Sequence, residues 1–135
     1  EYAADIAQSL DFITEKPEGF EAVISQGGTN VSGGQKQRLS IARALTKKPK
    51  IYIFDDSFSA LDLKTDSALR KALKESVESG TILIVAQRIN TIKDADQIIV
   101  LNEGEIVGIG KHRELLESCQ IYREIAESQL DRGEM

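Results

Sequence analysis

Between Val31 and Gln35 the chain reads Val-Ser-Gly-Gly-Gln, followed by Lys36-Gln37-Arg38-Leu39-Ser40-Ile41-Ala42-Arg43-Ala44-Leu45. A Ser-Gly-Gly turn that opens a helix offers a hydroxyl and several unpaired backbone N–H groups to an anion, and glycine lets the backbone approach a phosphate closely. Further along, the apolar run Ile51-Tyr52-Ile53-Phe54 ends in two acids, Asp55 and Asp56. A carboxylate pair at the tip of a buried strand suits one Mg²⁺ and one attacking water. The two stretches support each other.

The elements that must position these residues can be read from periodicity. Ala3, Ile6, Ala7, Leu10 and Ile13 recur at helical spacing, so the pattern predicts one amphipathic helix from Tyr2 to Thr14, ended by Lys16-Pro17. Glu18 to Thr29 reads as loop. Ser32 reads as the N-cap of a helix running to about Lys47, with Lys47 and Lys48 near its negative end and Pro49 closing it. Ile51 to Asp55 is a continuous apolar run, as expected for a parallel strand covered on both faces. A helix from about Thr65 to Ser79, with Gly80 just past it, leads to a second buried strand, Ile82 to Ala86. After a short helical segment at Ile89 to Lys93 comes a third strand, Gln97 to Leu101. The turn chemistry of Asn102-Glu103-Gly104 then returns the chain as an antiparallel strand, Glu105 to Ile109. Two short helices are expected between about Arg113 and Leu130. Alternating buried strands and helices is α/β architecture. The expected organisation is a first part, residues 1–48, carrying the Ser-Gly-Gly helix, and a second part, residues 49–135, carrying the strands.

Composition narrows the possibilities. The 135 residues are 41% hydrophobic, enough for a packed core. A net charge of −5 argues against a general nucleic-acid binder, which depends on basic surface, so no nucleic acid is expected as a partner. The longest apolar runs, Ile51–Phe54 and Ile82–Ala86, fall far short of the ~20 residues that span a bilayer. Any membrane association is expected through a partner or through a segment outside this sequence. The single cysteine, Cys119, fits a reducing cytoplasm and reads as a small buried apolar residue. The chain begins at Glu1 and its only methionine is the last residue, so it is expected to be cut from something longer.

The motifs quoted above resemble the signature and Walker B segments of ATP-binding-cassette (ABC) ATPases, and the similarity runs along nearly the whole chain in the order of that family. The resemblance implies a P-loop NTPase-type parallel sheet flanked by helices, with part of the helical signature subdomain in residues 1–48. It also implies a head-to-tail dimer in which the signature of one subunit closes over ATP held by the other. Ser32, Gly33 and Gly34 would then contact the γ-phosphate and Gln35 would lie near the ribose and phosphates, while Asp55 would position Mg²⁺. Ser59-Ala60-Leu61-Asp62 is similar to the family's D-loop, with Asp62 expected at the dimer interface and also suited to cap the helix before Thr65. ATP and Mg²⁺ are the expected cofactors, and the expected partners are a second nucleotide-binding domain and the transmembrane domains of a transporter. Location would be the cytoplasmic face of the cell membrane, peripheral through those domains.

Departures from the family pattern are informative. Asp56 stands where the catalytic base is normally Glu; one methylene shorter, its carboxylate falls roughly 1 Å or more from the ideal, which can cost on the order of a hundredfold in rate. Gln87 stands where the family usually has a histidine, and an amide does not titrate near neutral pH. Both changes weaken the same catalytic step, which resembles the degenerate half of an asymmetric heterodimeric exporter; the alternative is a homodimer with a slower Asp-based site. His112, the only histidine, reads as a surface or capping residue and does not replace Gln87. Ala22-Val23-Ile24-Ser25-Gln26-Gly27-Gly28 occupies the place where exporters of the family touch their transmembrane domains, without the usual glutamates and arginine. No G-x-x-x-x-G-K-[ST] run occurs: Gly110-Lys111 is followed by His112 and lies in a hairpin pattern. The Walker A cradle and its strand are therefore expected to precede Glu1, and this chain by itself is expected to be an inactive partial domain. Export powered by ATP is the leading reading; a soluble cassette ATPase of repair or translation and a non-catalytic ATP-gated dimerisation module are the alternatives.

Overall fold

The computed structural model describes residues 1–77 and 80–129. They form two compact units, the first running from Glu1 to Val85 and the second beginning at Ala86.

The first unit opens with two short helices, α1 (Tyr2–Ile6) and α2 (Leu10–Thr14), where the apolar period predicts one. Gln8 adopts a left-handed φ of 55°. Its N–H donates to Asp5 O at 2.9 Å and that of Ser9 to Ala4 O at 2.7 Å, the Schellman closure that usually employs glycine. The cause is tertiary. The Arg38 guanidinium donates to the Gln8 carbonyl, lies 3.4 Å from Asp11 Oδ1 and sits 4.7 Å from the centre of the Phe12 ring. Arg38 thus supplies both polar and cation–π partners at the break. The expected loop from Glu18 to Thr29 contains two single 3₁₀ turns, Gly19–Glu21 and Gln26–Gly28.

Helix α3 spans Gly33–Thr46, β1 Ile51–Asp55, α4 Leu63–Ser76 and β2 Thr81–Val85. Helix α4 is capped at Val77, so it ends before Ser79, which itself lies outside the described residues. Strands β1 and β2 pair in parallel, from Ile51 opposite Thr81 to Asp55 opposite Val85. Tyr52 and Phe54 point into a core with Ile6, Ile41, Leu45, Phe58, Leu69 and Leu73. The apolar run predicts cover on both faces, yet Ile51, Ile53, Leu83 and Val85 are 49–66% exposed. Only one face of this pair is covered among the described residues.

The second unit contains α5 (Ile89–Ile92), β3 (Ile98–Asn102), β4 (Glu105–Gly110), α6 (His112–Ser118) and α7 (Gln120–Gln129). The third strand pairs antiparallel with β4, as the turn chemistry of Asn102-Glu103-Gly104 predicts. Glu103 and Gly104 both have positive φ, 49° and 84°, which is the two-residue turn that matches hairpin twist. Leu130, the expected last helical residue, lies outside the described residues. Ile98, Val100, Leu115, Cys119, Tyr122 and Ala126 are buried together. Cys119 packs where a Cβ on Gly108 would come within 3.0 Å of its sulfur, so it fills the core as a small apolar residue. His112 is the first residue of α6, half-buried, with Nδ1 2.8 Å from the Tyr122 hydroxyl. Among the described residues no helix is long and apolar enough to cross a membrane.

Two predictions follow from this packing. The uncovered apolar face of β1 and β2 should make the chain on its own self-associate, and Ile53→Glu with Leu83→Lys should reduce that association; static light scattering of the two forms checks it. Burial first, then the nearby Lys93 charge, hold the His112 imidazole below its ordinary value of 6.5, with Asp94 opposing them and Arg113 adding the least. The unfolded chain therefore binds more protons just below pH 6.5, so this contribution is complete above that pH and is lost as pH falls through it. The thermal midpoint should drop over that window, and His112→Asn should flatten the dependence.

Candidate functional site

The site is built on the start of α3. Ser32 is its N-cap: the hydroxyl accepts from Gln35 N–H at 3.2 Å while Gln35 Oε1 accepts from Ser32 N–H at 2.9 Å. This reciprocal capping box satisfies two of the helix's orphan donors. The N–H groups of Gly33 and Gly34 have no carbonyl to reach within the helix. Ser32 keeps its hydroxyl proton and Gln35 its side-chain N–H groups as further donors. Ser32 and Gly33 are exposed, Gly34 and Gln35 half-buried. The four residues singled out for phosphate contact thus form one turn with donors to offer an anion, aided by the positive end of the helix.

The acid pair stands at the end of β1. Asp55 is the last ladder residue, and Asp56 follows with a left-handed φ of 47°, its N–H donating to Val85 O at 3.0 Å. The parallel ladder therefore extends one bond past the strand and fixes the sharp turn at Asp56. Both residues are exposed. The segment Ser57–Asp62 then runs against the start of α3: a Cβ on Gly34 would stand 3.0 Å from Ala60 O, whereas one on Gly33 would meet only the Ala60 Cβ at an ordinary 3.7 Å. A side chain at Gly34 would require the Ala60 carbonyl to give by a few tenths of an ångström, so glycine suits that approach. The first unit thus brings Ser32–Gln35 and Asp55–Asp62 together.

Gln87 belongs to the second unit. It is exposed, and its carbonyl accepts from Gln129 Nε2 at 2.9 Å, while Gln129 Oε1 accepts from Ile89 N–H at 2.9 Å. The far end of α7 thereby holds the segment that carries Gln87.

No group of three or more His, Cys, Asp or Glu gathers to hold a metal among the described residues. Two adjacent exposed carboxylates nevertheless fit Mg²⁺, which takes one or two protein oxygens and fills its octahedron with phosphate oxygens and water. The residue that pattern reading missed is Gln37. Its amide bonds to Asp56, Ser59 and Ala60, contacts across 19 to 23 residues of sequence for which no local signal exists.

Asp62 is the N-cap of α4, accepting from Thr65 N–H at 3.0 Å and from the Thr65 hydroxyl at 2.7 Å. The capping expected before Thr65 is present, and the carboxylate remains exposed. These two hydrogen bonds, the backbone one first, hold its carboxyl below the ordinary value of 3.8. The depressed value means that the cap is complete above pH 3.8 and is lost as pH falls below it. The Thr65 amide resonance should titrate in that acid range and stay flat in Asp62→Asn, which caps without a charge; an NMR pH series on the two forms checks it.

Residues 4–59 match the ABC transporter family. Over 130 residues the chain is 49% identical to the uncharacterized ABC transporter ATP-binding protein YfiB of Bacillus subtilis (strain 168), covering 96% of this chain and 22% of that protein. It is 42% identical over 131 residues to the leukotoxin translocation ATP-binding protein LktB of Mannheimia haemolytica, covering 96% of this chain and 18% of LktB. Among solved structures, a bacterial Atm1-family ABC exporter with ATP bound superposes with a TM-score of 0.90 at 36% identity, over 96% of this chain and 23% of the exporter. The chain spans about a fifth of the length of the relatives it matches. Over nearly all of its length the chain is thus similar to proteins described as ABC transporter ATP-binding proteins, and residues 4–59 carry the ABC transporter family match.

Proposed function

We propose that this chain is the C-terminal part of a nucleotide-binding domain that powers export across a membrane by binding and hydrolysing ATP, as a subunit whose own hydrolytic site is degenerate. The observation that carries the reading is the single body formed by the Ser32–Gln35 turn and the Asp55–Asp62 segment, which joins a donor-rich helix start suited to a nucleotide on a partner to an acid pair suited to this chain's own site. In this reading the Walker A cradle and its strand lie in sequence outside the present one, residues 1–48 belong to the helical subdomain, and residues 49–135 belong to the ATPase core.

Each residue's part follows from its chemistry. Ser32 and the N–H groups of Gly33 and Gly34 would hold the γ-phosphate of ATP seated on a partner nucleotide-binding domain, while the Gln35 amide reaches the ribose and phosphates. Asp55 would orient Mg²⁺, which supplies charge neutralisation on the phosphate oxygens. Asp56 would accept the proton of the attacking water with a short side chain, and Gln87 would orient that water without taking a proton. Asp62 would stand at the dimer interface. The transmembrane domains are the partners through which the domain sits at the cytoplasmic face of the membrane.

Two positions on the same step that favour little turnover support a heterodimer, in which this chain's signature serves the partner's competent site. In the intact transporter, Gly33→Asp should lower steady-state ATPase activity by about a hundredfold, because a carboxylate is aimed at the γ-phosphate in a place where a side chain meets no packing conflict. Gly33→Ala should retain most activity, and Asp56→Ala should cost much less than Gly33→Asp. Near-complete loss with Asp56→Ala would make Asp56 the working base and end the degenerate-site reading.

A further inference from the structure

Gln37 lies one turn beyond Gly33 on α3 and is half-buried. Its Nε2 donates to Asp56 O at 3.1 Å and to Ser59 Oγ at 3.0 Å, and its Oε1 accepts from Ala60 N–H at 2.9 Å. One planar amide therefore ties down a carbonyl, a hydroxyl and an N–H drawn from three residues of the acid segment. Ser59 also folds back on the same atom, with its hydroxyl 3.0 Å from Asp56 O. Asp56 is held at φ 47°, a left-handed conformation that a residue with a Cβ adopts rarely. Its N–H is taken by Val85 and its carbonyl by Gln37, so the conformation is pinned from both sides. A Cβ on Gly34 would stand 3.0 Å from Ala60 O, so the helix start already abuts the segment that Gln37 grips.

We propose that Gln37 is a positioning residue: it makes the placement of Asp56 and of the segment to Asp62 depend on the placement of the α3 N-terminus, so that a phosphate held at Ser32–Gln35 is registered within this chain at the acid pair and the dimer-facing segment. The inference rests on the nucleotide-binding reading above. The chemistry demands this side chain. Glutamate of the same length would keep the acceptor for Ala60 N–H but set a carboxylate oxygen against the Asp56 carbonyl, and methionine would fill the space with no hydrogen bond at all. In that reading the segment Ser57–Asp62 faces the partner's competent site, so its rigid placement is worth rate rather than affinity there, where a misplacement near 1 Å can cost about a hundredfold, whereas a shift of Asp56 alone costs little at a site that is already slow.

The test uses the intact transporter carrying Gln37→Met and, separately, Gln37→Glu, with ATPase kinetics, thermal midpoint and backbone hydrogen exchange over residues 56–62. The expected result in Gln37→Met is a kcat lowered by about tenfold or more, an ATP KM within about twofold of the parent, an unchanged thermal midpoint, and loss of protection at Ala60. Gln37→Glu should lower kcat in the same way and, because it retains the acceptor, leave Ala60 better protected than in Gln37→Met. It also decides the matter should the methionine variant fail to fold. Parental kcat in either folded variant, with Ala60 deprotected in Gln37→Met, would overturn the proposal. A rise in KM at constant kcat would overturn it as well. Gly33→Asp separates the two readings: if that variant is silent, the nucleotide reading falls, whereas an inactivating Gly33→Asp beside silent Gln37 variants removes only the link.

Discussion

The hydrogen bond from Asp56 N–H to Val85 O, one step past the end of the parallel pair, is the constraint on which the first unit's chemistry depends. It carries the ladder into a residue that has already left the strand and forces the chain into a left-handed turn there. That turn directs Ser57–Asp62 back toward α3 instead of onward along the sheet. The aromatic core beneath, with Phe54 edge-on to Phe58 at 5.6 Å between ring centres, packs under the turn and resists its opening. The helix start is then met by Ala60, and the two stretches of candidate site residues in this unit become neighbours without sharing a secondary-structure element.

Much of this was legible in the sequence where the determining interactions are local. Ser32 and Asp62 declared themselves as N-caps because a cap is a contact between residues three apart. The strand at Ile51–Asp55 was visible as an apolar run bounded by Pro49 and two acids, and the hairpin as Asn-Glu-Gly between two strand-like runs. What escaped was set by partners distant in sequence. The break at Gln8 needs Arg38, about a helix-and-loop away; the apolar stripe crosses it unmarked. A continuous run such as Ile51–Phe54 gives the strand but cannot say how many of its faces are covered. Gln37 looked like any polar residue on an exposed turn of helix, since nothing near it in sequence receives its bonds.

The same contrast separates the two kinds of residue that the site employs. Ser32 and Gln35 cap each other, so the turn exists whether or not an anion is present, and its free donors are already oriented. Asp55 and Asp56 have no comparable mutual arrangement and take their place from the sheet and from α3. A preformed donor turn beside an acid pair that is placed by its surroundings concentrates any adjustment in the acid segment. The N–H groups of Asp56, Ala60 and Leu61 nonetheless have partners, in Val85 O, Gln37 Oε1 and Phe58 O, which limits that adjustment.

The hairpin of the second unit has an implication for how the chain acquires its structure. Strand β3 turns into β4 through two residues, and α6 and α7 follow directly, so most contacts in that unit join near neighbours in sequence. Such contacts require little loop closure and form early. The β1–β2 pair, by contrast, must bring together strands separated by the whole of α4 before its first ladder bond is made. The later-translated half is therefore the kinetically easier one, and the acid turn, which needs Val85 in place, is completed only after the β1–β2 pair has formed.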